Sequence, residues 1–251
     1  MWKQFTHWLR TQSTTEPTDF SAIWPVDLHN HILPGVDDGL TTMTDTLLCL
    51  QQYAEWGMKR VICTPHISQD YHPNTNGQLQ QAVNEVRQAV AEANLPIDVS
   101  LAAEYLLDEL FYEQLERSEL LSFGAQQYVL FETGWANAPH QLEQSVFMMQ
   151  LKGYTPVLAH PERYHYYQTE PHHLMMLKEK GCLFQLNLMS LVGQYGKKAQ
   201  QLAYKLLQTK HINFIGSDLH RPVHLATLER VFTPDTIELL QQQPLLNNTL
   251  I

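Results

Sequence analysis

Short apolar runs alternate with longer amphipathic stretches along most of the chain. The short runs, rich in β-branched residues and bounded by turn residues, predict strands over 23–29, 59–64, 97–103, 127–132, 155–159, 182–187 and 212–216. The longer stretches predict helices over 42–56, 78–94, 138–151, 171–180 and 197–210. Within 78–94, Leu79, Val83, Val86 and Val90 recur at helical spacing and form a single apolar stripe. Gly57, Gly153 and Gly181 each stand where a helix must stop before the next strand begins. Seven such units in one chain predict an α/β fold, a closed β/α barrel of about the usual size. A doubly wound open sheet is the alternative, but no Gly-rich dinucleotide turn follows a predicted strand.

Residues 1–22 read as an N-terminal extension and 23–251 as one barrel domain. Trp2, Phe5, Trp8 and Leu9 fall on one helical face, which predicts a short helix docking on the barrel. Net charge changes the picture: 26 acidic against 16 basic residues give -10, so wrapping a nucleic-acid backbone is disfavoured. No apolar run approaches the roughly 20 residues of a membrane span. The first residues lack the apolar core of a secretory signal. Cys49, Cys63 and Cys182 are odd in number and far apart, which fits a reducing cytoplasm rather than a disulfide framework.

Thirteen histidines are the unusual count, and their positions matter more than their number. Strand one ends in His29-Asn30-His31, and strand two runs into Thr64-Pro65-His66. Strands three, four and five end at Glu104, Glu132 and His160. Strand seven runs into Ser217-Asp218-Leu219-His220. Strand six ends in Asn187, a loop cap or a substrate contact. The C-terminal ends of the strands are where β/α barrels build active sites. A lone strand-end His or Glu is usually structural; six of seven strands delivering one together are not.

Two-residue spacing puts Asp27, His29 and His31 on one face, and Asp218 and His220 on another. Asp38 follows in the turn-rich segment 34–39. The candidate set is His29, His31, Asp38, His66, Glu104, Glu132, His160, Asp218 and His220. Nine mixed nitrogen and oxygen donors exceed the needs of one ion and fit two or three, with Mn, Fe, Zn and Mg all chemically compatible. Clustered ions suit phosphoester hydrolysis, because they activate water and clamp developing charge. Arg163 and, with a weaker claim, Arg221 are candidate phosphate ligands, or else surface ion-pair partners. The histidines off the strand ends are expected to be structural, with His72 and His224 as outside candidates near the site.

The segments His29-Asn30-His31, Leu33–Gly39, Thr64-Pro65-His66, His160–Tyr164 and Ser217–His220 resemble the polymerase and histidinol phosphatase (PHP) superfamily. More narrowly, they resemble the manganese-dependent tyrosine-protein phosphatases of bacterial capsular and exopolysaccharide loci. That resemblance implies a distorted (β/α)7 TIM-like barrel of the PHP type and a three-metal site, usually Mn2+, held by the nine residues above. It also implies that Arg163 binds phosphate, that a second arginine a few residues past the last metal histidine helps, and that the substrate is a cytoplasmic tyrosine autokinase. The segment expected between His220 and that arginine is absent here, so Arg221 fits the role poorly. The cysteines agree with metal-based chemistry: six positions after them stand Glu55, Gln69 and Leu188, not the arginine that a cysteine-dependent tyrosine phosphatase needs. A phosphatase of small molecules such as histidinol phosphate is the near alternative, and a non-catalytic metal-stabilised binding module the distant one. Aromatics beyond the strand ends (Tyr71, Tyr105, Trp135, Tyr164, Tyr166 and Tyr167) are expected either to stack on a phosphotyrosyl ring or to pack the loops.

Overall fold

A computed structural model describes residues 19–135 and 137–251. The proposed docking helix of Trp2, Phe5, Trp8 and Leu9 lies outside the described residues. From Phe20 onward the chain already packs on the barrel: the Phe20 ring stacks on Phe232 at 3.9 Å and its amide donates to the Trp56 carbonyl.

Nine short strands occupy seven positions around a curled parallel sheet among the described residues. They are β1 (Val26–Asp27), β2 (Arg60–Cys63), β3 (His66–Ile67), β4 (Asp98–Leu101), β5 (Glu104–Leu106), β6 (Tyr128–Glu132), β7 (Thr155–Ala159), β8 (Leu183–Asn187) and β9 (Phe214–Gly216). The second and third predicted strands each break in two. Pro65 has no amide hydrogen to offer a ladder, so β2 pairs with β1 and β4 while β3 pairs with β5 alone. The ladder then runs β5-β6-β7-β8-β9, all parallel.

The helices are α1 (Met43–Glu55), α2 (Asn76–Glu92), α3 (Glu109–Arg117), α4 (Leu142–Leu151), α5 (His165–Thr169), α6 (His172–Glu179), α7 (Lys197–Gln208), α8 (His224–Glu229) and α9 (Pro234–Gln241). All five predicted helices are present; α3, α5, α8 and α9 lie in segments the periodicity leaves unassigned. Local chemistry sets their starts: Thr42, Asp108 and Thr233 each cap a first turn, and Thr75 with Gln78 forms a reciprocal capping box on α2. The stripe Leu79, Val83, Val86 and Val90 is buried, as its spacing requires.

Apolar side chains form two layers. Val26, Leu28, Ile62, Ala102, Leu130, Val157, Ala159 and Phe214 fill the barrel, closed off below by Phe123, Tyr128 and Leu250. A larger layer, including Trp24, Tyr53, Val83, Phe111 and Leu206, lies between strands and helices.

Between the first and last strands the ladder shrinks to one bridge, Asn30 to Leu219. Backbone bonds flank it, from Asp218 N to the His29 carbonyl and from His31 N to the Leu219 carbonyl. Lower down, side chains replace the ladder. The Asn247 amide donates to the Val26 carbonyl (2.9 Å) and the Ile215 carbonyl (2.8 Å), and its oxygen accepts from Ile215 N. Asp27 accepts from Ser217 N (3.0 Å), Ser217 Oγ (2.6 Å) and the Tyr53 hydroxyl (3.0 Å). Asp27 therefore faces the helix layer, and the expectation that it shares a face with His29 and His31 fails. Val26 and Leu28 both point into the barrel, and regular strand geometry ends at Asp27.

Removing one donor from the buried Asp27 leaves an acceptor underserved. Tyr53→Phe is expected to destabilise the fold by about 1–3 kcal/mol. Chemical denaturation of metal-free protein measures this without ion binding masking the loss; an unchanged midpoint would show that the seam does not need this bond.

Candidate metal centre

Glu104, the first residue of β5, is the hub. Its Oε2 lies 3.0 Å from His29 Nε2, 3.3 Å from His31 Nε2 and 3.4 Å from His66 Nδ1. Its Oε1 lies 3.0 Å from His160 Nε2. Glu132 reaches His66 Nδ1 at 3.3 Å. Asp218 Oδ1 lies 3.3–3.5 Å from His29, His31 and His220. Asp38 Oδ1 is 3.5 Å from His220 Nε2 and 3.6 Å from His66 Nε2. The structure thus brings all nine predicted residues together at the strand ends.

They resolve into overlapping groups whose donor atoms lie within 4.8 Å of one another: His31, Asp38, His66 and His220; His29, His31 and Glu104; His29, His160 and Asp218; and His66, Glu104 and Glu132. Shared members join these groups into one continuous cluster of candidate donors. Two buried ring nitrogens, His31 Nε2 and His160 Nδ1, have no hydrogen-bond partner. Buried polar atoms are rarely left so, and His31 Nε2 faces two carboxylates. A cation between them would satisfy all three. The donor set therefore fits hard or borderline divalent ions.

Two of the nine candidates reach the site through strained backbone. His160 (φ 34°) and Asp218 (φ 51°) adopt the left-handed conformation that side-chain-bearing residues avoid. Ala159 already points into the barrel, so simple alternation would send His160 outward; the turn brings it back. Two glycines make room. A Cβ at Gly216 would meet the His29 Cβ at 2.6 Å, and one at Gly39 would meet the His31 carbonyl at 2.2 Å.

A second layer orients the first. Asp37 accepts from His31 Nδ1 at 2.8 Å and from the amides of Gly39 and His66, fixing the ring with Nε2 toward the cluster. Gln185 Oε1 meets His29 Nδ1 at 2.7 Å and accepts from His160 N. Asn187 caps the turn at Met189 N, one of the two roles expected of it, and its amide also donates to Asp218 Oδ2. Sequence reasoning favours Asp38 over its neighbour Asp37 and passes over Gln185 altogether. A signal is present for the latter, because Gln185 is a polar residue inside a buried strand, two positions before Asn187.

Arg163 sits at the edge of the cluster. Its guanidinium bonds Asp218 Oδ2 and lies 4.1 Å from the Tyr195 ring centre and 4.8 Å from that of Trp135. Its ion-pair partner is thus a cluster carboxylate and not the adjacent Glu162. Glu162 is buried below, accepting from Ser190 Oγ and Asn187 N. Arg221 is exposed, and among the described residues its guanidinium joins no ion pair of the cluster. His72 stacks on His66, and His224 Nδ1 accepts from His220 N, so both outside candidates border the site. Most of the aromatics pack the loops: Tyr105, Tyr164 and Tyr167 are buried and Tyr166 is half-buried, leaving Tyr71 and Trp135 exposed.

Protonation follows from burial and neighbours. Burial pushes His66 and His160 down to about 4, aided by the charges of His31 and Arg163 respectively. Burial works against the charged form of His29 and His31 too, but Glu104 and Asp218 for the first, and Asp37 for the second, raise both above the ordinary value. Burial would raise Glu104; the surrounding histidines hold it well below the carboxylate range instead. Burial, and then Glu104 nearby, lift Glu132 well above that range.

A curled β/α barrel that gathers histidines and carboxylates into overlapping groups at its strand ends, beside one fixed arginine, has the donor set of a metal-dependent hydrolase of phosphate esters. The chain belongs to the capsular polysaccharide synthesis CpsB/CapC family, whose model matches residues 25–227. It is 31% identical over 195 residues to the tyrosine-protein phosphatase YwqE of Bacillus subtilis (strain 168), covering 78% of this chain and 77% of that one. It is 25% identical over 202 residues to the tyrosine-protein phosphatase CpsB of Streptococcus pneumoniae, covering 78% and 82%. Its fold matches a chain from the crystal structures of YwqE and CpsB, described as unique metal-dependent tyrosine phosphatases, with a TM-score of 0.73 and 28% identity over 87% of this chain and 95% of that one.

The carboxylates facing His29 and His31 shift both imidazoles toward the protonated form, so an entering cation competes with protons for those rings. Metal uptake near pH 7 is therefore expected to release protons and to weaken as pH falls. Calorimetry in buffers of different ionisation enthalpy checks this; an identical heat in all of them would contradict it. Gln185→Leu, which strips His29 of its outer partner, should weaken metal binding by about 10–100-fold, read by competition with a chromophoric chelator.

Proposed function

We propose that this chain is a metal-dependent protein-tyrosine phosphatase, with a three-ion manganese centre held by His29, His31, Asp38, His66, Glu104, Glu132, His160, Asp218 and His220. Its proposed substrate is a phosphotyrosine protein, a tyrosine autokinase of capsular or exopolysaccharide synthesis. The observation that carries this reading is the placement of Arg163, a guanidinium against Asp218 at the edge of a four-carboxylate, five-histidine cluster. The names of the relatives in both comparisons support it.

When bound, the ions would supply Lewis-acid activation of water and of the phosphoryl group. The protein's own residues would do the rest. Arg163 presents a rigid fork of donors that a phosphate accepts in pairs, and the rings of Tyr195 and Trp135 limit how far it can swing. Asp218 holds Arg163 until a phosphate arrives to share it. Arg221, exposed one residue past His220, is proposed as a secondary phosphate contact of smaller effect.

A cysteine nucleophile has no support. Cys49 and Cys182 are buried and pushed up to about 12, and Cys63 is raised further by the same burial. A thiol so far above neutrality holds almost no thiolate. No described helix is long and apolar enough to cross a membrane; the proposed location is the cytoplasm.

Specificity constants for a phosphotyrosine peptide, a phosphoserine peptide and histidinol phosphate, on one manganese-loaded preparation, test the reading. The phosphotyrosine peptide should lead clearly; a lead for histidinol phosphate would reassign the enzyme to small molecules. Arg163→Lys should lower turnover by about 10²–10³-fold with metal content unchanged, and wild-type kinetics in that variant would remove Arg163 from the site.

A further inference from the structure

Trp135 stands three residues past Glu132, above the end of β6. It is 43% exposed yet anchored on three sides. Its indole stacks on the ring of His160 (centroids 5.6 Å apart, 17° between planes) and tilts against Tyr164 at 5.1 Å. The Arg163 guanidinium carbon lies 4.8 Å from its ring centre. A large aromatic surface is thus fixed beside a cluster ligand and beside the arginine, with much of its area left in solvent.

We propose that the exposed indole of Trp135 is the surface that recognises the aryl group of the substrate, which makes it the specificity-determining residue of this site. The inference rests on the phosphotyrosine reading above. A phosphate seated against Arg163 places its ester oxygen at the same edge of the cluster. In phosphotyrosine an aromatic ring begins one bond beyond that oxygen, within reach of an indole that itself borders Arg163. In phosphoserine the same place holds a single methylene, which offers no face to stack. Offset or edge-on aromatic contact then favours the first substrate over the second.

Among the described residues, no other aromatic near the site combines anchoring with exposure. Tyr105, Tyr164 and Tyr167 are buried. The Tyr166 hydroxyl is tied to Thr133. The Tyr195 ring is occupied by Arg163, and its hydroxyl accepts from Asn187. Tyr71 is 76% exposed but, among the described residues, touches neither a cluster ring nor Arg163.

The test compares Trp135→Leu and Trp135→Phe with wild type in the full chain, after metal content has been measured. The readout is the ratio of kcat/KM for a phosphotyrosine peptide to that for a phosphoserine peptide of the same flanking sequence. Leucine keeps an apolar side chain without a ring, and should lower the ratio by roughly threefold to tenfold. Phenylalanine keeps a face and should preserve most of it. A ratio that Trp135→Leu leaves unchanged, even if both rates fall, would show that the indole only supports Arg163 and His160, and would overturn the inference alone. So would a loss in Trp135→Phe equal to that in Trp135→Leu. A wild-type ratio near one is a different failure: it overturns the functional reading itself and takes this inference with it.

Discussion

Everything at the metal centre depends on how Asp27 holds the first strand against the last. A carboxylate fully buried between strand and helix layer would be costly on its own, and burial does raise it above the usual carboxylate range. Bonds from the Ser217 amide and hydroxyl and from Tyr53 lower it again and offset part of that cost. They also fix the register of two strands that share only one ladder bridge. His29 and His31 leave one side of this seam, and Asp218 and His220 the other. A shift of one residue would separate the halves of a cluster whose groups draw on both.

Charge and strain are concentrated in the same place. Glu104 faces four imidazoles at once, and two of the residues clustered around it, His160 and Asp218, hold left-handed backbone. Such a backbone persists only where the surroundings over-determine it. Here they do: His160 is held by its Glu104 contact and by Gln185 at its amide, and Asp218 by Arg163, Asn187 and the His29 carbonyl. Most of those partners are themselves part of the site, so the geometry of the centre and the stability of its walls are not separable properties.

Much of the site is legible in the sequence for one reason: a parallel barrel places every strand end on one rim, so spacing along the chain converts directly into proximity. That is why eight of the nine dispersed residues fall into one group on strand position, with Asp38 added from the turn after the first strand. Where strand regularity stops, legibility stops too. Two-residue alternation misplaces Asp27 because β1 ends there, and it cannot show that His160 turns inward, because a left-handed turn has no hydrophobic signature. Asp37 and Asp38 are indistinguishable by position, yet one braces His31 from outside the cluster and the other enters it. The rim aromatics cannot be sorted either, since burial of Tyr105 and exposure of Trp135 depend on loops that carry no period.

The Asn247 side chain joins Val26 to Ile215, and its bond to Val26 spans 221 positions of sequence. Contacts so distant form only after a large loss of chain entropy, and topologies rich in them fold slowly. The local β/α units can each pair with the next one as they form; the seam cannot. The expected kinetic consequence is an open, C-shaped intermediate whose final step is ring closure. Because the candidate metal-binding residues lie on both lips of that opening, their groups are complete only once the ring shuts, and an ion bound to them would slow its reopening.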